Sequence, residues 1–209
     1  MIVTTSFLDA AGTGTAAPSA WVRRWSHLVA PGGTVLDVAC GQGRHARWFY
    51  ERNHLVALVD RSHAAIESIA IPAQACEAVV ADIENGPWPF AGRQFDAVVV
   101  TNYLWRPLMP TLLDSLAPGG VLIYETFTQG NETVGKPSRP DFLLRPGELL
   151  ELCSKLRIVA FEDGFQEGPP GQAPRFVQRI AAVRETVNPA DLSDSGSRQA
   201  SGPRRYPLL

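Results

Sequence analysis

The sequence predicts an α/β protein: a single domain on a doubly wound, seven-stranded, mostly parallel sheet with an antiparallel C-terminal hairpin. Three observations carry that expectation. Short aliphatic runs at 35–38, 55–59, 78–83, 95–100 and 121–124 alternate with stretches of helical spacing, the pattern of a parallel sheet flanked by helices. The runs are apolar at successive positions rather than at every second one, as strands covered on both faces require. The first run passes through Gly41-Gln42-Gly43 straight into a helix-forming stretch, 44–52, making a strand–turn–helix unit.

Bulk composition narrows the function. A chain of 209 residues with 45% hydrophobic content suits one domain with short tails. Nineteen basic against 21 acidic residues give a net charge of −2, so no nucleic-acid partner is expected. Cys40, Cys76 and Cys153 are far apart and odd in number. That predicts neither a disulfide framework nor a metal site, but free thiols in a reducing cytoplasm. No apolar run reaches the roughly 20 residues that span a bilayer, and no leader pattern opens the chain, so no membrane partner is expected.

In order, residues 1–17 read as a flexible arm, 18–185 as the domain and 186–209 as a disordered tail rich in Ser, Pro, Gly and Arg. Ser19 is placed to cap a first helix, whose Trp21, Trp25, Leu28 and Val29 form one apolar stripe. Pro31-Gly32-Gly33 ends that helix and leads to the first strand, which contains Asp37. Gly41 and Gly43 permit turn angles and a close ligand approach that a Cβ would hinder. The turn brings backbone N–H groups and a helix start towards an anionic group. In the helix that follows, Ala46, Phe49 and Tyr50 share the buried face, and His45 reads as structural.

Asn53-His54 is placed at the helix end. The second strand then ends in an acid, Asp60, 17 residues after Gly43, where a carboxylate can accept from both hydroxyls of a ribose. Ser62 is placed to cap a helix over 62–70, stopped by Pro72. A third strand over 78–83 runs into Asp82-Ile83 and a proline-rich loop. The fourth, 95–100, ends in Thr101-Asn102-Tyr103, which points outside the carboxyl end of the sheet, where ligands sit. A helix over 106–116, disturbed by Pro107 and Pro110, leads to the Pro118-Gly119-Gly120 turn and a fifth strand through Tyr124 and Glu125. Residues 127–145 form a long loop on the same face, and such loops are functional or disordered. A helix to about residue 155 and strands at 156–161 and 175–183 complete the domain.

Two ligand classes use such a glycine turn. Gly41-Gln42-Gly43-Arg44-His45-Ala46 formally satisfies a dinucleotide fingerprint. However, Asp37-Val38-Ala39-Cys40-Gly41-Gln42-Gly43, with Asp60, Asp82-Ile83 and the Pro118-Gly119-Gly120 turn, resembles the class I S-adenosylmethionine (SAM) methyltransferases over residues 19–185. Cys40-Gly41-Gln42-Gly43-Arg44 is most similar to the small bacterial tellurite-resistance type. The resemblance implies a Rossmann-like sheet, SAM as cofactor, no metal, and transfer of a methyl group to a small-molecule acceptor by in-line displacement. It implies a cofactor site of Asp37, Ala39, Cys40, Gly41, Gly43, Arg44, Asp60, Arg61, Asp82, Ile83, Thr101 and Asn102. Asp37 would face the ammonium of the amino-acid moiety, and Asp82 the adenine amine. No catalytic acid or base is identified. Tyr103, Arg106, Tyr124, Arg139 and Arg145 are the acceptor-side candidates, the arginines as clamps for an anion. A methyltransferase-like module without catalysis is the alternative, and an oxidoreductase a more distant one.

Overall fold

The structure, a computed structural model, describes residues 16–168, 173–186 and 205–208. Most of the expected arm and tail therefore lies outside the described residues. The sheet has seven strands: β1 (Thr34–Val38), β2 (Leu55–Asp60), β3 (Cys76–Val80), β4 (Phe95–Thr101), β5 (Leu116–Phe127), β6 (Arg157–Gln166) and β7 (Arg175–Val183). Their order is β3-β2-β1-β4-β5-β7-β6. The first five are parallel, and β7 runs antiparallel to both β5 and β6. From β1 the chain winds outward to β2 and β3, then returns to β4 on the other side. The crevice between the carboxyl ends of β1 and β4 is thus the topological switch point, where ligands bind in open α/β sheets.

Helices cover both faces: α1 (Ala20–Trp25), α2 (Arg44–Tyr50), α3 (His63–Glu67), α4 (Met109–Asp114) and α5 (Glu148–Leu152). One buried cluster joins Leu36, Val38, Val98, Val100, Leu122 and Tyr124 to α4 and α5. The alternate side chains Val35, Val99 and Ile123 pack with Trp21, Trp25 and Phe49 of α1 and α2 on the opposite face. The two tryptophans are core residues, 3% and 1% exposed. Both faces are covered because every second side chain of an aliphatic strand points to each.

Several bounds differ from the sequence expectation for local reasons. The third strand is Cys76–Val80, ending before Asp82, because the Asp82 carboxylate accepts from the backbone N–H of Glu84 (3.0 Å) and Asn85 (3.2 Å) and turns the chain out of the ladder. The helices expected at 62–70 and up to 155 shorten to His63–Glu67 and Glu148–Leu152. Pro107 and Pro110 leave a tight turn, Arg106–Leu108, before Met109–Asp114. The last hairpin is longer than expected, its pairing continuing to Gln166 and Arg175. Within the expected tail, Tyr206 packs against the α1–α2 cluster and the Pro207 carbonyl lies 3.1 Å from His27 Nε2. Among the described residues no helix is long and apolar enough to cross a membrane.

Candidate functional site

The loop 39–43 forms the floor of the switch-point crevice. Ala39, Gly41 and Gly43 all have left-handed φ, of 52°, 53° and 69°. A Cβ on Gly43 would come within 2.9 Å of the Ile69 side chain, so glycine is needed there for packing. A Cβ on Gly41 would meet nothing within 4 Å: the backbone there faces open space. Asn102, at the end of β4, also has positive φ, 54°. Among the described residues, two of the three non-glycine residues held in this costly conformation thus flank the switch point, Ala39 just past β1 and Asn102 just past β4.

Asp60 sets the loop's height. Its Oδ2 accepts from Gly41 N at 2.8 Å and its Oδ1 from Ser62 N at 2.8 Å. The carboxylate is half-buried at the end of β2, and each oxygen keeps a lone pair for a further donor. Arg61 beside it is exposed. Asp82 is exposed too, and its pKa is held below the usual range by the Asn85 side-chain amide (3.0 Å) and the Glu84 N–H. Ile83 packs on the core, and half-buried Thr101 pairs across the ladder with Glu125.

Asp37 is placed differently from the expectation. It is 1% exposed, beneath the loop rather than above it, and accepts from Ala46 N of α2 at 3.0 Å. The anionic partner of this helix start is thus the protein's own carboxyl group. Burial pushes its pKa up to about 7. His45 is equally buried, its Nδ1 3.9 Å from Asp37 Oδ1, and its Nε2 accepts from Ser19 N at 3.2 Å. Burial and then Arg44 lower its pKa to about 3, so the ring is neutral. The Cys40 thiol is held well above its ordinary range by burial and by the nearby acids Asp37 and Asp60, which suits packing and not nucleophilic attack. Arg44 opens α2 at the crevice lip.

The acceptor-side candidates separate into distinct roles. Arg106 is a staple: Nε and Nη2 grip the Glu148 carboxylate at 2.7 and 2.9 Å, and Nη1 and Nη2 donate to the carbonyls of Asp141 and Leu143. Glu148 lies almost wholly buried beneath it. Arg139 pairs with Asp141 at 2.9 Å and Arg145 with Glu151 at 3.1 Å, all four side chains more than half exposed. The Tyr124 hydroxyl donates to the Tyr103 carbonyl at 2.7 Å, which makes it a brace between β5 and the end of β4. The Tyr103 hydroxyl is buried without a well-formed hydrogen bond. Burial, and next the neighbouring Glu84 carboxylate, push its pKa well above the phenol range. Residues 128–145 are pinned as a strap: Thr128 donates to Leu144 O, while Asn131 donates to Pro137 O and accepts from Phe176 N.

Sequence reasoning passed over Glu125. It is 1% exposed at the carboxyl end of β5, accepting from the Ser19 hydroxyl at 2.8 Å and from Arg179 at 3.1 Å. Its signal, an acid closing an otherwise aliphatic run, is the one that singled out Asp60. Among the described residues no group of three or more His, Cys, Asp or Glu is arranged to hold a metal.

Residues 35–120 match a family model described as a methyltransferase domain. A malonyl-[acyl-carrier protein] O-methyltransferase of Serratia marcescens is 30% identical over 107 residues, covering 48% of this chain and 41% of the relative. The chain therefore spans less than half the length of that relative. TehB from Haemophilus influenzae superposes with a TM-score of 0.64 at 17% identity, over 77% of this chain and 60% of TehB. The glycopeptide N-methyltransferase MtfA, complexed with SAM, superposes at 0.56 and 20% identity, over 88% of this chain and 99% of its own. Residues 35–120 of this chain are thus similar to a methyltransferase domain, and the fold is one shared with TehB and other S-adenosylmethionine-dependent methyltransferases.

Proposed function

We propose that this protein is a SAM-dependent methyltransferase that passes the methyl group in line to a small-molecule acceptor. The observation that carries this reading is the open cradle at Gly41, floored by a loop that Asp60 ties to β2 and faced by the strained end of β4. Asp60 is set to accept from the ribose hydroxyls. Asp82 and Ile83 offer a carboxylate and an apolar surface to the adenine, while Ala39, Cys40, Gly41, Gly43, Arg44, Thr101 and Asn102 line the remainder. Bound SAM supplies a methyl carbon already activated by its sulfonium, so the protein's task is alignment and exclusion of water rather than proton transfer. Asp37 serves from below by holding the loop and α2 in register. The pinned strap 128–145 walls the acceptor side, with the buried Tyr103 hydroxyl beside Glu84.

Calorimetry with SAM, S-adenosylhomocysteine (SAH) and NAD tests the cofactor half: the first two bind, and NAD does not. NAD binding without SAM binding overturns the reading. The acceptor half is tested by SAM-dependent turnover across metalloid oxyanions, thiols, phenols and carboxylates. A malonyl-[acyl-carrier protein] and a glycopeptide join the panel, being the substrates that the names of the relatives specify. Turnover confined to the last two excludes a free small molecule, and cofactor binding with no turnover on any makes this a binding module.

A further inference from the structure

We infer that Ser19 is the latch by which the chain entering α1 closes over the switch-point crevice, with His45 and Glu125 as positioning residues that act through it. The inference rests on the reading of the crevice as a SAM site. Ser19 makes three polar contacts besides the ordinary helix bond that its carbonyl accepts from Arg23 N. Its backbone N–H donates to His45 Nε2 on α2, and its hydroxyl donates to Glu125 Oε1 on β5. The same hydroxyl oxygen accepts from Trp21 N, capping α1. In the sheet β4 lies between β1, which α2 follows, and β5. A residue bonded to the first turn of α2 and to the end of β5 must therefore cross the carboxyl end of β4, beside the crevice.

Both anchors are buried, and Glu125 has partners of its own besides Ser19. Glu125 pairs with Arg179, whose guanidinium also meets Glu162 and stacks on the Trp21 ring at 5.1 Å. The Glu125 carbonyl accepts from the N–H of Asn102, the strained residue just past β4. His45 lies on the buried face of α2, two residues after Gly43. A helix cap requires only an oxygen that accepts from the helix N–H groups. Here the hydroxyl hydrogen is also spent, on a carboxylate 106 positions away. That second bond is what a latch adds to a cap.

The two roles separate by substitution. Ser19→Thr keeps the donor and the acceptor. Ser19→Asp keeps a good cap but loses the donor to Glu125, and Ser19→Ala loses both. The readout is the dissociation rate of SAH from the full chain by stopped flow, using its tryptophan fluorescence, with melting temperatures measured in parallel. The latch predicts a rate about tenfold faster for Ser19→Asp and Ser19→Ala, the scale of one lost hydrogen bond to a charged group, and wild-type behaviour for Ser19→Thr. A folded Ser19→Asp protein that releases SAH at the wild-type rate would reduce Ser19 to a helix cap and overturn the inference. A Glu125→Gln variant checks the partner from the other side, and an unchanged rate there counts equally against it. Failure of the wild-type chain to bind SAH would instead overturn the cofactor reading itself.

Discussion

At the residue scale, three acids at or near strand ends do different work because their surroundings differ. Asp82 is in solvent, Asp60 is half-buried at the crevice, and Asp37 is sealed beneath the loop. Asp37 titrates near 7 in the fold against 3.8 unexposed to it, so between those values the folded chain binds more protons than the unfolded one. Stability owed to this group is therefore greatest below about pH 4 and is lost as pH rises through 7. His45, lowered from 6.5 to about 3, acts oppositely: its share is present above 6.5 and is lost as pH falls through 3. Asp37→Asn keeps an acceptor for Ala46 N and removes the buried charge. We predict a gain on the order of 2–4 kcal/mol at pH 8, little gain near pH 4, and a SAM Kd close to wild type. Thermal melts at the two pH values and one titration decide it, and a large loss of SAM affinity would place Asp37 against the ligand after all. Asp60→Ala, by contrast, should weaken SAM about ten- to hundredfold. It should also lower the melting temperature, since Gly41 N and Ser62 N lose their acceptor. An unchanged Kd puts the ribose elsewhere.

At the element scale, the strap 128–145 is held by the Arg106–Glu148 fork, which joins residues 42 apart in sequence. Arg106→Ala removes both arms and leaves the Glu148 carboxylate buried with one backbone donor, Arg145 N, and the edge of an exposed guanidinium. The expected cost is about 2 kcal/mol, discounted because Arg106 itself is 37% exposed. Arg139→Ala with Arg145→Ala removes two exposed pairs and one long contact to Glu148, which keeps both arms of Arg106, so its expected cost is below about 1 kcal/mol. Denaturant melts of the two variants should therefore separate clearly, and equal melts would mean the strap is not held by this fork. The same double variant tests whether these arginines clamp the acceptor. With both guanidinium groups already paired, turnover should survive.

At the scale of the whole molecule, the Tyr206 contact ties residues 205–208 to the face formed by α1 and α2. Tyr206→Ala should cost about 1 kcal/mol of stability, the worth of a half-buried aromatic, and leave SAM affinity unchanged. A melt indistinguishable from wild type would show that the contact adds nothing. The larger division is between local and distant order. The aliphatic runs, the glycine turn, the prolines that break the helix before α4, and the acids closing β2 and following β3 were legible because each is dictated within a few residues: by side-chain period, by permitted φ, by a missing N–H. So the sequence alone determined the sheet class, the hairpin and the cradle at Gly41 and Gly43. Only the tertiary structure decided which way the polar groups face. Asp37 turned under the loop, Arg106 became a staple rather than a clamp, and Ser19 met Glu125 across 106 positions. The reason is physical: a buried polar group must find a partner, that partner can come from any element the fold brings near, and such pairings leave no period in the chain.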